Sequence, residues 1–153
     1  MNALLTDEEV LDFLRRQAKG AQWITSVCTG SLVLGAAGLL RGKRAACHWS
    51  SRDLLAQFGA IPIDERVVFD GNVVTGGGVT AGIDFALSIV AKMHGEEAAQ
   101  AAQLQIEYDP APPFDAGSPR SAPAAIVTIA KERAAPMLAE RRAQVERAAA
   151  KLA

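Results

Sequence analysis

The chain has 153 residues, one domain's worth and enough to bury a core. Half of its residues are hydrophobic, 22% are charged, and 16 Lys and Arg against 17 Asp and Glu leave a net charge of -1. These values exclude an extensively disordered chain and argue against a dedicated nucleic-acid binder, and no apolar run reaches the ~18 residues of a membrane span.

Met1 to Glu8 carries no basic stretch followed by an apolar one, so no secretion signal is read. The two cysteines, Cys28 and Cys47, cannot build a disulfide framework. A soluble cytoplasmic domain is expected.

Thr6 and Glu9 have capping-box spacing, and Val10, Leu11, Leu14 and Ala18 form an apolar stripe that stops at Gly20, which predicts a first helix. Trp23 to Val27 is aromatic and β-branched, as a strand requires. Gly30 to Leu40 is small and apolar and reads as a buried helix, whose glycines imply close packing. Arg41-Gly42 reads as a turn and Arg44 to Cys47 as a short strand. Ser50 is placed to cap a helix from Ser51 to Phe58 that Gly59 ends. Asp70-Gly71-Asn72 between valine-rich arms predicts a hairpin over Glu65 to Thr75.

Gly76-Gly77-Gly78 then leads into a helix from about Thr80 to Met93, apolar nearly all round and so expected to be buried. An Ala/Gln-rich helix follows Gly95 and ends near Tyr108. Five prolines between Asp109 and Pro123 exclude regular structure there. Ala124 to Leu152 is helical in composition, with Pro136 expected to kink or restart it. Strands alternating with helices predict an α/β sheet layered by helices, with about four short strands.

The chemistry concentrates at Val27-Cys28-Thr29-Gly30-Ser31. A strand running straight into Cys28, with a helix starting straight after it, has the geometry of a nucleophile elbow. The helix N-terminus offers partial positive charge and free amides to an anion, and the thiolate is the reactive form of cysteine. Gly30 is read as allowing close approach to the sheet, the Thr29 amide as facing an oxyanion, and the Thr29 hydroxyl as able to hold or pass a proton. A buried, inert Cys28 is the competing reading of the same residues.

His48 is the candidate base, weighed against a half-buried histidine bonded to backbone at a strand end. Cys47 beside it makes no metal box, since neighbours on a strand face opposite ways and no second Cys/His pair completes a site. His94 is expected at a helix end. The three-glycine loop lacks the pattern of a phosphate loop and reads as a tight strand-to-helix connection. Asp84 is expected at the surface or in a helix-end contact.

Val27-Cys28-Thr29-Gly30-Ser31, Leu39-Leu40-Arg41-Gly42 and His48-Trp49 together resemble the DJ-1/PfpI superfamily, and within it the isocyanide hydratases. Phe58 to Pro62, Thr75 to Phe85, Tyr108 to Phe114 and Ala116 to Pro119 extend the resemblance from about Asp7 to the C-terminus. It implies a flavodoxin-like three-layer α/β sandwich that forms homodimers and hydrates isocyanides to N-substituted formamides without metal or organic cofactor. Cys28 then matches the nucleophile and Thr29 the residue required beside it; protease-like relatives carry His there instead. The resemblance also implies an N-terminal βαβ segment, with an acidic residue and a Gly-rich loop near the nucleophile, to which no residue of this chain corresponds. The chain is accordingly expected to be a single domain over 1–153, the C-terminal two thirds of an N-terminally truncated family domain. Exposed sheet edges, apolar helix faces and a tendency to associate are expected to follow. A non-catalytic or redox-sensing domain, or the sensor half of a transcription regulator, are the alternative readings.

Overall fold

The computed structural model describes residues 1–152. Five strands run β1 (Ile24–Val27), β2 (Arg44–Ala45), β3 (Ile61–Pro62), β4 (Val67–Asp70) and β5 (Val73–Gly76). Five α-helices run α1 (Glu8–Ala18), α2 (Gly30–Ala36), α3 (Ala81–His94), α4 (Glu96–Gln105) and α5 (Ala124–Ala150). Two 3₁₀ segments, Asn2–Thr6 and Arg52–Phe58, complete the set.

β1 pairs in parallel with β5, and β5 pairs antiparallel with β4 through the Gly71-Asn72 hairpin. A separate parallel pair joins β2 and β3. Successive strand residues point to opposite faces, and Ser26 and Val27 show where each face leads. The Ser26 hydroxyl meets Ser31 of α2, whereas the Val27 side chain packs beside Gly76 and Gly82 at the start of α3. α2 and α3 therefore cover opposite faces, and the sheet is the middle layer of three.

The two outer layers are unequal. The main core lies on the α2 side, where Leu5, Leu11, Leu32, Leu40, Leu55 and Val145 are fully buried and each contributes ~1.5–3 kcal/mol. α3 was expected to be buried and is not: Ile83 is 41% and Met93 45% exposed, and Ala81 alone in the helix is buried. Its all-round apolar character reports the hydrophobicity of the helix but not how much of the chain lies over it. β1 is also an edge of its sheet, with Thr25 exposed and the Trp23 indole N–H buried without an acceptor among the described residues.

Several local expectations change at their boundaries. α1 is capped by Asp7, whose carboxylate accepts the Val10 N–H at 3.2 Å, rather than by Thr6. α2 stops at Ala36, since Gly38 turns left-handed at φ 79°. Ser51, not Ser50, precedes a segment that is 3₁₀ rather than α-helix at Arg52–Phe58, and Gly59 ends it as anticipated, in the left-handed region. α5 runs unbroken through Pro136.

Candidate active site

β1 ends at Val27 and α2 begins at Gly30, so Cys28 and Thr29 are the entire connection. Reversing direction so quickly takes Cys28 to φ 61°, the left-handed region. For a residue with a Cβ that conformation costs about 1–3 kcal/mol and persists only where its surroundings over-determine it. Here the Cys28 N–H donates to the Gly76 carbonyl at 3.0 Å, and the Ser26 and Ser31 hydroxyls bond at 2.8 Å across the bend. Cys28 is half-buried.

Gly30 has a lesser part than expected. A Cβ there would meet the Ser26 Cβ at 3.5 Å, an ordinary contact, so the demand of the turn falls on the backbone of Cys28. Thr29 sits at the N-cap of α2 and its side chain makes no capping bond, so its hydroxyl is not committed to the helix end.

The segment after β2 is held against this turn by two buried hydroxyls. Ser31 Oγ donates to the Ala46 carbonyl at 2.7 Å, and the Ala46 N–H donates to Thr75 Oγ1 at 2.7 Å. Both polar groups of Ala46 are thus satisfied by side chains from α2 and β5, which fixes the backbone leading into Cys47 and His48. Sequence reading missed this clamp; its only trace was a hydroxyl at otherwise apolar positions of a helix and a strand. Thr75→Val, which keeps the shape and removes the acceptor, is expected to cost about 1–3 kcal/mol in urea unfolding. An unchanged midpoint would mean that Ala46 is held by other contacts.

A cleft of about 350 Å³ opens next to the elbow, walled by Cys47, His48, Trp49, Gly77 and Gly78 on one side and by Gly117 to Arg120 on another. Cys28 does not itself line it; the Cys28 backbone is joined to Gly76, the neighbour of the cleft residue Gly77. The three-glycine loop is the tight connection from β5 to α3 that was expected, and it lies between the two candidate residues, bonded to Cys28 at Gly76 and facing His48 at Gly78.

His48 is half-buried. Its Nδ1 accepts the Ser50 N–H at 3.3 Å and lies 2.9 Å from Ser50 Oγ, which places the ring proton on Nε2. Burial first, and then the positive charge of Arg141, hold His48 below the ordinary imidazole range, so it is neutral at pH 7. This is the backbone-bonded histidine of the blander reading, set in a cleft wall, and among the described residues no hydrogen bond joins it to Cys28.

Cys47 is buried, and burial foremost, with the nearby Cys28 thiol second, pushes its thiol up to about 12. It is protonated and inert at neutral pH. Iodoacetamide should therefore label Cys28 and spare Cys47 in the folded protein, and label both in urea. Faster labelling of Cys47 would contradict the geometry.

The remaining candidates fall away from the sulfur. Asp84, in the first turn of α3, is paired with Arg66 and accepts the Tyr108 hydroxyl at 3.0 Å. Glu107 and Asp109 lie at the exposed end of α4, outside the cleft. His94 is in the exposed last turn of α3. The rim of the cleft is charged: Asp64 is paired with both Arg52 and Arg120, whose attraction outweighs its burial and holds its carboxyl below the usual range. Among the described residues no three His, Cys, Asp or Glu side chains are grouped to hold a metal, and no helix is long and apolar enough to cross a membrane.

The sequence model of the DJ-1/PfpI family matches residues 1–92. The isonitrile hydratase of Pseudomonas putida is 62% identical over 149 residues, 97% of this chain and 65% of that protein. A ThiJ/PfpI family protein from Pseudomonas syringae, known as a crystal structure, superposes with a TM-score of 0.89 at 51% identity, over 97% of this chain and 60% of that one. The HTH-type transcriptional regulator CdhR of Pseudomonas aeruginosa is 33% identical over 92 residues, 59% of this chain and 27% of that protein. The chain thus spans less than two thirds of the length of each of these relatives.

Proposed function

Because the chain belongs to the DJ-1/PfpI family, we propose that it carries the nucleophile of an isocyanide hydratase, converting isocyanides to N-substituted formamides. The observation that supports this best is the left-handed, half-buried Cys28 at the strand-to-helix turn beside a cleft. The 62% identity to a protein named isonitrile hydratase, a synonym for the same activity, supports the choice of substrate.

In this reading the Cys28 thiolate attacks the terminal carbon of R–N≡C, forming a C–S bond and leaving the electron pair on that carbon. The carbon takes a proton, which this reading assigns to the Thr29 hydroxyl, to give the thioimidate R–N=CH–S. Water adds across the C=N bond, its hydroxyl going to carbon and its proton to nitrogen. The C–S bond then breaks, the thiolate leaves, the hydroxyl proton passes to the Thr29 oxygen that gave one up earlier, and the formamide R–NH–CHO is released with the enzyme restored. One water is consumed per isocyanide, and a difficult hydration is split into two easier steps. His48, bonded at Nδ1 to Ser50, forms part of the wall and is given no proton to carry. Assembly as a homodimer in the cytoplasm belongs to the same proposal.

A ligand-sensing role without turnover is the second reading, favoured by the similarity to a transcriptional regulator. Incubation with an alkyl isocyanide separates the two. Steady formamide production supports the hydratase, whereas saturable binding of the isocyanide with no formamide over many hours supports the sensor and overturns the hydratase.

A further inference from the structure

Arg141, on α5, is an anomaly in the ledger of charges. It is 9% exposed, the one charged side chain buried among the described residues. Its guanidinium donates to Ser51 Oγ at 2.7 Å and to Asn2 Oδ1 at 3.1 Å, both neutral, and it enters none of the eight ion pairs among the described residues. A buried charge left without a counter-ion is costly unless something keeps it.

Its position gives a reason. Ser51 is buried, and its N–H donates to the His48 carbonyl at 2.9 Å, closing the turn from His48 to Ser51. His48 and Trp49 at the front of that turn line the cleft, and Arg141 grips the turn from behind. We infer that Arg141 is a positioning residue for the cleft: it fixes the His48–Ser51 turn and supplies a positive charge that no carboxylate among the described residues pairs with. The charge reaches both His48 and Cys47, since it disfavours a second positive charge on the imidazole and favours negative charge on the thiol. An anion held or formed beside these groups is stabilised by the same field. The attack on an isocyanide passes through such an anion, and in that respect the inference rests on the hydratase reading.

The charged and titratable groups that line the cleft with His48 are Cys47 on its own segment, Arg52 from the following 3₁₀ segment, Asp64, Glu65 and Arg66 from the loop before β4, and Arg120 from the proline-rich segment, with Arg141 behind the turn. Of these, Arg52, Arg66 and Arg120 are paired with carboxylates, and Arg141, behind the turn, has no carboxylate partner among the described residues.

Asn2→Asp tests the charge without removing the guanidinium, because it places a carboxylate where Asn2 Oδ1 now lies. NMR titration of His48, with exposed His94 as the internal control, reads the field directly and needs no turnover. We expect the His48 midpoint to rise by about half a unit in Asn2→Asp and at least as far in Arg141→Met, with Arg141→Lys close to the parent. The rate constant kcat for isocyanide should fall about threefold in Asn2→Asp, the same free energy as half a unit, while its stability is kept. A His48 midpoint that does not move in Asn2→Asp overturns the inference, whether or not Arg141→Met folds. A moved midpoint with no isocyanide turnover in the parent protein would leave the inference standing and remove the hydratase reading.

Discussion

Cys28→Ser removes isocyanide turnover, by about 10⁴-fold or more, the scale on which enzymes lose activity when the nucleophile is deleted. Serine keeps the shape of the elbow and can adopt the same backbone, so the loss isolates the sulfur chemistry. The physical reason is ionisation: a thiol supplies usable anion near neutral pH, and an alcohol supplies almost none without a dedicated base. No such base is bonded to Cys28, since His48 is committed to Ser50. The folded state should survive, because the constraints on the turn come from the Cys28 backbone amide and from Ser26 and Ser31. Relief of backbone strain is a separate readout. Cys28→Gly should be inactive and also more stable by up to ~1 kcal/mol, as the left-handed φ of 61° is free for glycine. A Cys28→Ser protein that retains a tenth of the parent rate would place the nucleophile elsewhere.

Gly35→Ala is the second large effect, and its sign runs against intrinsic propensity. In an open helix the change stabilises by ~1 kcal/mol. In α2 the added Cβ would stand 2.5 Å from Phe58 Cδ2 and 2.9 Å from Cγ, distances that real contacts do not reach. Phe58 is buried in the core and has no free space to retreat into. We expect a net loss of about 1–3 kcal/mol in urea unfolding, the ordinary cost of overpacking. The effect should be coupled to the ring: in a Phe58→Leu background the same change should cost far less, which a double-mutant cycle measures. Equal losses in both backgrounds would locate the constraint somewhere other than the ring. Since α2 carries the elbow at its first turn, the Gly35 contact also lets that helix lie close to the 3₁₀ segment Arg52–Phe58.

Where local chemistry decides, the sequence was a good guide. The strand into Cys28, the helix out of it, the Asp70-Gly71-Asn72 hairpin and the stop at Gly59 follow from short-range rules and stand where those rules place them. The close packing read from the glycines of α2 is the Gly35–Phe58 contact. β3 was missed because two residues, one of them Pro62, carry no periodicity and gain their pairing from β2 across the fold. The burial of α3 was overstated because an apolar pattern cannot say how much chain lies over it. The Ser31–Ala46–Thr75 clamp and Arg141 were illegible for a related reason. Each is a polar side chain whose role depends on a partner far along the chain, and Arg141 in an Ala/Arg/Glu-rich helix has the local appearance of a solvated charge. Single-residue chemistry at the elbow was thus readable, and the tertiary supports around it were not.

The most direct test of the nucleophile is to catch it. Acid quenching during steady turnover of an alkyl isocyanide, followed by peptide mass mapping, should reveal the thioimidate as the mass of one isocyanide added to the peptide containing Cys28, with Cys47 unmodified. Turnover with the adduct on Cys47, or with no adduct and an unmodified Cys28 at every quench time while a Cys28→Ser protein continues to make formamide, would contradict it.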